Sequence, residues 1–303
     1  MILVVGESLV DVVERPDGSR TEHPGGSPAN VAVGLARLGL QTQLATMLAT
    51  DDHGALVRMH LAESGVQVVP GLREPDRTAT AIARLDAAGS ATYTFDLAWD
   101  PGRIEPTTSP DAVHTGSIAT FLEPGADEVE DALRRLAPTS VVTLDPNLRP
   151  DLVPDRAEAT ARIESLVALS DVVKVSDEDL AFLHPHDDPA DVARRWIGHG
   201  PVAVAVTFGA HGSRVHTARG SVRLPATAPH VVDTVGAGDS YMAGLIAALD
   251  DEAALGPDGR SVLEEADLPF WRRVASVASR AAAITVGRAG AQPPWRDEMV
   301  VGD

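Results

Sequence analysis

Short unbroken apolar runs alternate along this chain with longer segments whose apolar positions recur every three or four residues. The first run, Ile2-Leu3-Val4-Val5, reads as a strand buried on both faces and ends at Gly6-Glu7. Leu9–Glu14 instead alternates around Asp11 and meets a turn at Pro16-Asp17-Gly18, the pattern of an antiparallel excursion away from a main sheet. A helix is predicted over 31–38, stopped by Gly39, then a strand over 46–49 and a helix over 55–64. Thr80–Leu85 and 91–95 alternate on either side of Ala87-Ala88-Gly89-Ser90, which reads as a hairpin. Beyond Pro110, strands at 112–114, 141–144, 172–175 and 202–207 are interleaved with helices over 128–136 and Arg156–Leu169. That order predicts a mainly parallel α/β sheet with helices on both faces. An acidic loop is expected over 250–267, then an Ala-rich helix, Leu268–Val286, closing at Gly287-Arg288-Ala289-Gly290. With no repeat, low-complexity tract or linker, residues 1–303 read as one domain.

The chemistry gathers in the stretch 232–245, V-D-T-V-G-A-G-D-S-Y-M-A-G-L. An extended lead-in at 230–232 runs into Gly236, Ala237 and Gly238, then Asp239, then an apolar helix. Backbone N–H groups at a glycine-rich helix start, added to the helix dipole, suit a phosphate. A carboxylate at the same turn suits removal of a proton from a hydroxyl that attacks that phosphate. The plainer alternative is a glycine loop whose aspartate caps the helix. Ser240, next in line, is expected to cap as well. No G-x-G-x-x-G follows the first strand and no G-x-x-x-x-G-K-[ST] occurs.

A second glycine pair, Gly25-Gly26 in G-G-S-P-A-N, precedes the first helix and ends at Asn30. Asp11 accepts O–H bonds and Asn30 both accepts and donates, a combination suited to a sugar. Polar clusters fall at the carboxyl ends of the predicted strands, where ligands of such sheets bind. They are His114-Thr115-Gly116-Ser117, Asp145-Pro146-Asn147-Leu148-Arg149, Lys174-Val175-Ser176-Asp177-Glu178-Asp179 and Thr207-Phe208-Gly209-Ala210-His211-Gly212. Arg149 is open to three partners: an acid group of a substrate, a phosphate, or Asp145. Trp99 reads either as hinge packing or as a wall of the sugar pocket. The histidines show no H-E-x-x-H spacing, which argues against zinc.

Composition narrows the partners. Forty-four acidic against 25 basic residues give a net charge of −19, which disfavours nucleic acid and anionic membranes. There is no cysteine, so disulfide and thiolate chemistry are excluded. Met1 leads directly into a strand, with no basic, apolar leader and no long apolar run, so the expected location is cytoplasmic.

The motifs together resemble one family. D-T-V-G-A-G-D-S and G-G-S-P-A-N-V-A-V-G-L-A-R-L-G are similar to the two signatures of the ribokinase-like (PfkB) carbohydrate kinases, and G-E-S-L-V-D to their first strand. D-P-N-L-R-P, H-T-G-S-I and K-V-S-D-E-D-L-A-F-L resemble segments of its fructokinase members, the first also segments of keto-deoxygluconate kinases. V-T-F-G-A-H-G and A-I-T-V-G-R-A-G-A-Q-P-P resemble the nucleotide turn and the closing element. The resemblance implies a ribokinase-like fold with a small β-sheet lid, formed from about residues 8–23 and 77–98. It implies an ATP- and Mg²⁺-dependent sugar kinase with fructose as substrate, and keto-deoxygluconate or ribose as alternatives. A sugar-binding regulator that has lost the chemistry is a more distant reading.

By the same resemblance, Asp239 is the base and Gly236, Ala237 and Gly238 the anion hole. Asp11, Gly25, Gly26, Asn30 and Arg149 position the sugar, and Lys174, Ser176, Thr207, Gly209 and Gly212 hold the nucleotide. Two departures stand out. The family's acidic N-x-x-E element is here Ser176-Asp177-Glu178-Asp179, leaving Asp179 or Glu178 to act on Mg²⁺ through water. Pro294 stands where a hydroxyl would support K⁺ beside Asp233, so potassium is an open expectation. Asp96 and Asp100 make the lid's return acidic, which disfavours an acid sugar. Pairing of two copies through the lid is a further expectation.

Overall fold

The computed structural model describes residues 1–86, 91–153, 155–228 and 230–300. In chain order the first half runs β1 (Ile2–Val5), β2 (Leu9–Glu14), β3 (Arg20–Gly25), α1 (Ser27–Arg37), β4 (Thr42–Ala45), α2 (Asp52–Glu63), β5 (Gln67–Val68), β6 (Thr80–Leu85) and β7 (Ala91–Asp96). It continues through β8 (Ala112–Gly116), α3 (Gly125–Leu136), β9 (Val141–Asp145), α4 (Arg156–Leu169), β10 (Val172–Ser176), α5 (Asp177–Leu183) and α6 (Pro189–Ile197). The chain ends with β11 (Ala203–Thr207), β12 (Ser213–Thr217), β13 (Gly220–Leu224), α7 (Ala237–Asp251), α8 (Gly259–Glu265) and α9 (Leu268–Val286).

The main sheet has nine strands in the order β13-β12-β11-β10-β9-β8-β1-β4-β5. From β5 to β11 all neighbours are parallel, and only β12 is reversed, pairing antiparallel with both β11 and β13. Both faces are covered, which is why its central strands are apolar without alternation. Ile2 and Val4 join a core with α1, α2, α7, α8 and α9, while Leu3 and Val5 join a second core with α3, α4, α5 and α6. The doubly covered parallel sheet is therefore as the alternation of elements predicts.

Three expectations fail, for physical reasons. The strand after α1 is Thr42–Ala45 and not 46–49. Thr42 and Gln43 look too polar for a central strand, yet both are buried with their polar atoms satisfied. The Gln43 amide exchanges bonds with Thr107, and Thr42 Oγ1 donates to the Leu40 carbonyl at 3.0 Å. The segment 250–267 is not a loop: α7 extends to Asp251, and α8 follows within it. Leu263 of α8 is fully buried, an apolar anchor masked in sequence by its acidic neighbours. The lead-in at 230–232 is irregular, held by Val232 N–H donating to the Val286 carbonyl at 2.7 Å.

A separate sheet of four strands has the order β3-β2-β6-β7. β2 and β3 pair antiparallel around the predicted turn, and β6 pairs with β7 as the hairpin pattern predicts. The turn residues 87–90 lie outside the described residues. Val10 and Val12 point into the main core, so alternation sends Asp11 to the opposite face. On that face Leu9 and Ala81 pack with Ile118, just beyond β8, so the small sheet sits against the carboxyl edge of the large one. Among the described residues no helix is long and apolar enough to cross a membrane.

Candidate active site

α7 is preceded by Gly236, whose φ of 73° lies in the left-handed region that favours glycine. Its Cα packs so close to Ala291 that an added Cβ would sit 2.6 Å from the alanine methyl. Among the described residues no side chain caps this end; Ala237 N–H makes a long bond to the Thr234 carbonyl at 3.3 Å, and an uncapped helix start of this kind suits an anion. Asp239 is therefore not a cap. Its buried carboxylate takes a bond to Oδ1 from Ser27 Oγ at 2.6 Å and one to Oδ2 from Asn30 Nδ2 at 2.8 Å. Asn147 Nδ2 adds a longer contact to Oδ1 at 3.3 Å. Ser240 does not cap either: it is buried and receives the Thr285 hydroxyl at 2.7 Å, which ties α7 to α9.

Asn147 follows β9 in a left-handed conformation, φ 39°, a strained state for a side chain other than glycine. Its Nδ2 donates to Ser27 Oγ at 2.7 Å, and its Oδ1 accepts from Arg149 Nη1 at the same distance. Arg149 is exposed, and Nη1 also reaches the carbonyls of Asn147 and Leu148. It does not pair with Asp145.

Asp145 pairs instead with Lys174, Nζ to Oδ2 at 2.9 Å, with both side chains buried. Burial pushes the Asp145 carboxyl up to about 7, against the pull of Lys174 and with help from Asp179 and Asp239. Burial works against the Lys174 charge, but Asp145, Asp179 and Asp239 outweigh it and hold the ammonium above its usual value. His114, also buried, is driven down to about 3 by burial and by Lys174, and is neutral. Lys174 Nζ lies directly under the glycine turn: a Cβ on Gly238 would stand 2.8 Å from it. Among the described residues Asp145 Oδ1 has no hydrogen-bond partner.

Ser176 and Asp179 form the capping box of α5. Ser176 Oγ donates to Asp179 Oδ2 at 2.6 Å and accepts from Asp179 N–H at 2.9 Å. Asp179 Oδ1 accepts from Leu148 N–H at 2.9 Å, so one carboxylate oxygen caps α5 and the other braces the loop after β9. Glu178 points to solvent. Thr207 is the register partner of Ser176 on the next strand. The turn that follows holds Gly209, φ 49°, in open space, and Gly212, φ 89°, against the Leu224 carbonyl. Tyr241 of α7 donates to Ser213 Oγ at 3.1 Å, which joins this turn to the site helix. Asp233 clamps the segment before α7 to the closing element, accepting from Val235 N–H at 3.0 Å and Gly290 N–H at 2.9 Å. Those two backbone bonds hold its carboxyl below the usual range.

On the side of the small sheet, Gly25 lies so close to the Asp11 carboxylate that an added Cβ would displace it. The Asp11 carboxyl is raised by loss of surrounding water, with Arg149 and His23 pulling the other way. Gly26, φ 102°, passes close to the Glu7 carbonyl. Glu7 is itself buried, accepts from Ala119 N–H at 3.2 Å, and is pushed up to about 7 by burial. Trp99 is a core residue, packed with Met47 and Ile104 and lodged against Gly125. Asp96 and Asp100 are paired with Arg77 and Arg73, so the rim they form is less acidic than the sequence implies. Ser27 and Glu7 escape a reading by residue type. The first sits inside G-G-S-P-A-N, where its hydroxyl could have drawn notice.

The large sheet with its small companion is the ribokinase-like α/β fold of sugar-phosphorylating enzymes. The chain belongs to the pfkB family of carbohydrate kinases, whose profile matches residues 1–298. It is 36% identical over 286 residues to a fructokinase of Rhizobium leguminosarum bv. trifolii, covering 86% of this chain and 87% of that one. The structure of a fructokinase from Xylella fastidiosa with bound ATP superimposes with a TM-score of 0.85 at 26% identity, over 98% of this chain and 96% of that one. An aminoimidazole riboside kinase from Salmonella enterica, complexed with aminoimidazole riboside and an ATP analog, gives a TM-score of 0.78 at 26% identity, over 98% of each chain.

Proposed function

We propose that this carbohydrate kinase transfers the terminal phosphoryl group of ATP to fructose, forming fructose 6-phosphate. The observation that carries the reading is the Asp239 carboxylate, held by Ser27 and Asn30 at the uncapped start of α7. In the proposed reaction Asp239 accepts the proton of the attacking hydroxyl, and the turn Gly236-Ala237-Gly238 offers N–H groups to the phosphoryl oxygens. A carboxylate has about four acceptor positions, so the donors present still leave room for the substrate hydroxyl. Lys174 supplies positive charge from beneath Gly238, a position that favours support of the anion hole over direct contact with the nucleotide.

Asp11, Gly25, Gly26, Asn30 and Arg149 line the sugar side, and Ser176, Thr207, Gly209 and Gly212 the nucleotide side. Mg²⁺ bound to the nucleotide would neutralise phosphate charge. Among the described residues no cluster of three acids or histidines exists to hold a metal, and Asp179 is engaged in bracing its loop. The protein's own acids therefore fit an outer, water-mediated role at most, with Glu178 the exposed one. Each Asp233 oxygen keeps a lone pair beyond its backbone bond, which suits K⁺. The small sheet is proposed as a lid, residues 8–23 and 77–98, on a single domain 1–303 that acts in the cytoplasm, with pairing through the lid included in the proposal. Arg149 spends Nη1 on Asn147 and Leu148, which favours a neutral sugar over a carboxylate.

A coupled ADP assay tests this reading with fructose, ribose, 2-keto-3-deoxygluconate and aminoimidazole riboside. Fructose should give the highest kcat/KM. A tenfold preference for another sugar would overturn the substrate while leaving the kinase intact. Asp239→Asn should lose on the order of 10²–10⁴ in kcat while still binding sugar. Near-normal turnover would remove Asp239 from the chemistry.

A further inference from the structure

We infer that Ser27 is a positioning residue for phosphoryl transfer: its hydroxyl, aimed by Asn147 and Arg149, fixes the carboxylate plane of Asp239. The inference rests on the reading of Asp239 as the base.

Ser27 is the first residue of α1, directly after Gly26, and its side chain is buried. The direction of every bond around it follows from the donors available. Arg149 Nη1 can only donate, so the Asn147 atom 2.7 Å from it is the amide oxygen. Asn147 Nδ2 therefore faces Ser27 Oγ, at 2.7 Å, and the serine oxygen must accept. The one serine proton is left for Asp239 Oδ1, at 2.6 Å. Arg149, Asn147, Ser27 and Asp239 thus form a chain in which each donor polarises the next.

Without Ser27, Oδ1 would keep only the Asn147 contact at 3.3 Å, and Asn30 alone would hold Oδ2. One short bond lets a carboxylate swing about its Cβ–Cγ axis, whereas two short bonds on different oxygens set its plane. The serine hydroxyl has no second proton to give a sugar, so its effect passes through Asp239.

The test uses the full chain with saturating ATP and fructose. Ser27→Ala should lower kcat about tenfold or more, the scale of a bond to a charged acceptor, with little change in sugar KM. Ser27→Thr should restore most of the loss, because it returns a hydroxyl. In an Asp239→Asn background, Ser27→Ala should have no further effect. Asn147→Ala should also lower kcat, and combining it with Ser27→Ala should add little. An unchanged kcat in Ser27→Ala overturns the proposal. So does a rise confined to sugar KM, or an equal fall in the Asp239→Asn background. Should Asp239→Asn itself turn over normally, the base reading fails, and the two failures are thereby told apart.

Discussion

Gly238→Ala separates the proposed anion hole from the fold. The new methyl would sit 2.8 Å from Lys174 Nζ, closer than packed atoms allow, and the ammonium must retreat. It is held 2.9 Å from Asp145 in a buried pair. Stretching that pair to about 3.5 Å costs about 1 kcal/mol at an effective dielectric of about 20. Alanine regains up to about 1 kcal/mol over glycine in a helix. The two nearly cancel, so the melting temperature should move by no more than a few degrees. Turnover should fall by at least tenfold, and by about 10²–10³ if a phosphoryl donor is displaced. Gly236→Ala behaves differently. Its left-handed backbone costs about 1–2 kcal/mol with a side chain, and its methyl would meet Ala291, so stability and turnover should fall together. The assay is thermal unfolding beside steady-state kinetics on the same preparations. A Gly238→Ala enzyme with kcat within twofold of wild type would refute the placement of the phosphoryl group over this turn.

Glu7 gives a pH prediction. Burial lifts its carboxyl from 4.5 to about 7, so the folded chain keeps a proton there that the unfolded chain has lost. Stability should fall as pH rises through that window, and Glu7→Gln should remove up to on the order of 3 kcal/mol of the fall between pH 5 and 8. Parallel stability curves for the two proteins would contradict this. Gly212→Ala should lower melting by a few degrees and raise the KM for ATP, because its φ of 89° and the nearby Leu224 carbonyl leave no place for a methyl. Gly209→Ala, facing open space, should cost less, and equal effects from the two would reject the steric argument.

Much of the architecture is legible from periodicity. Arg156–Leu169 and Leu268–Val286 begin and end where capping aspartates and a terminal glycine or serine place them. β2, β6 and β7 of the small sheet are readable from their alternation, whereas β3, R-T-E-H-P-G, has no apolar face to reveal it. β4 is not legible, since the partners that make Gln43 tolerable come from Thr107, far along the chain. The site is legible in its residue types but not in its pairings. Lys174, expected at the nucleotide, takes Asp145, and Arg149, one possible partner of that acid, takes the Asn147 amide. Local sequence cannot choose between such partners, because the choice depends on which strand lies next to which.

What brings the two signatures together is the contact between α1 and α7. Gly34 and Ala243 meet where an added Cβ would stand 2.7 Å from the alanine methyl, so the helices touch almost backbone to backbone. Each residue lies about two turns from the start of its helix, which puts the two N-termini at the same level. On its other side α7 is wedged against α9, where Gly244 leaves no room for a Cβ beside Ala278 and Ala281. Asp239 therefore has little freedom of position along or across its helix axis. Ser27 and Asn30 reach it from a helix fixed to the same support, across 212 and 209 residues of chain. Small residues in the helix interfaces thus set the geometry of the proposed base.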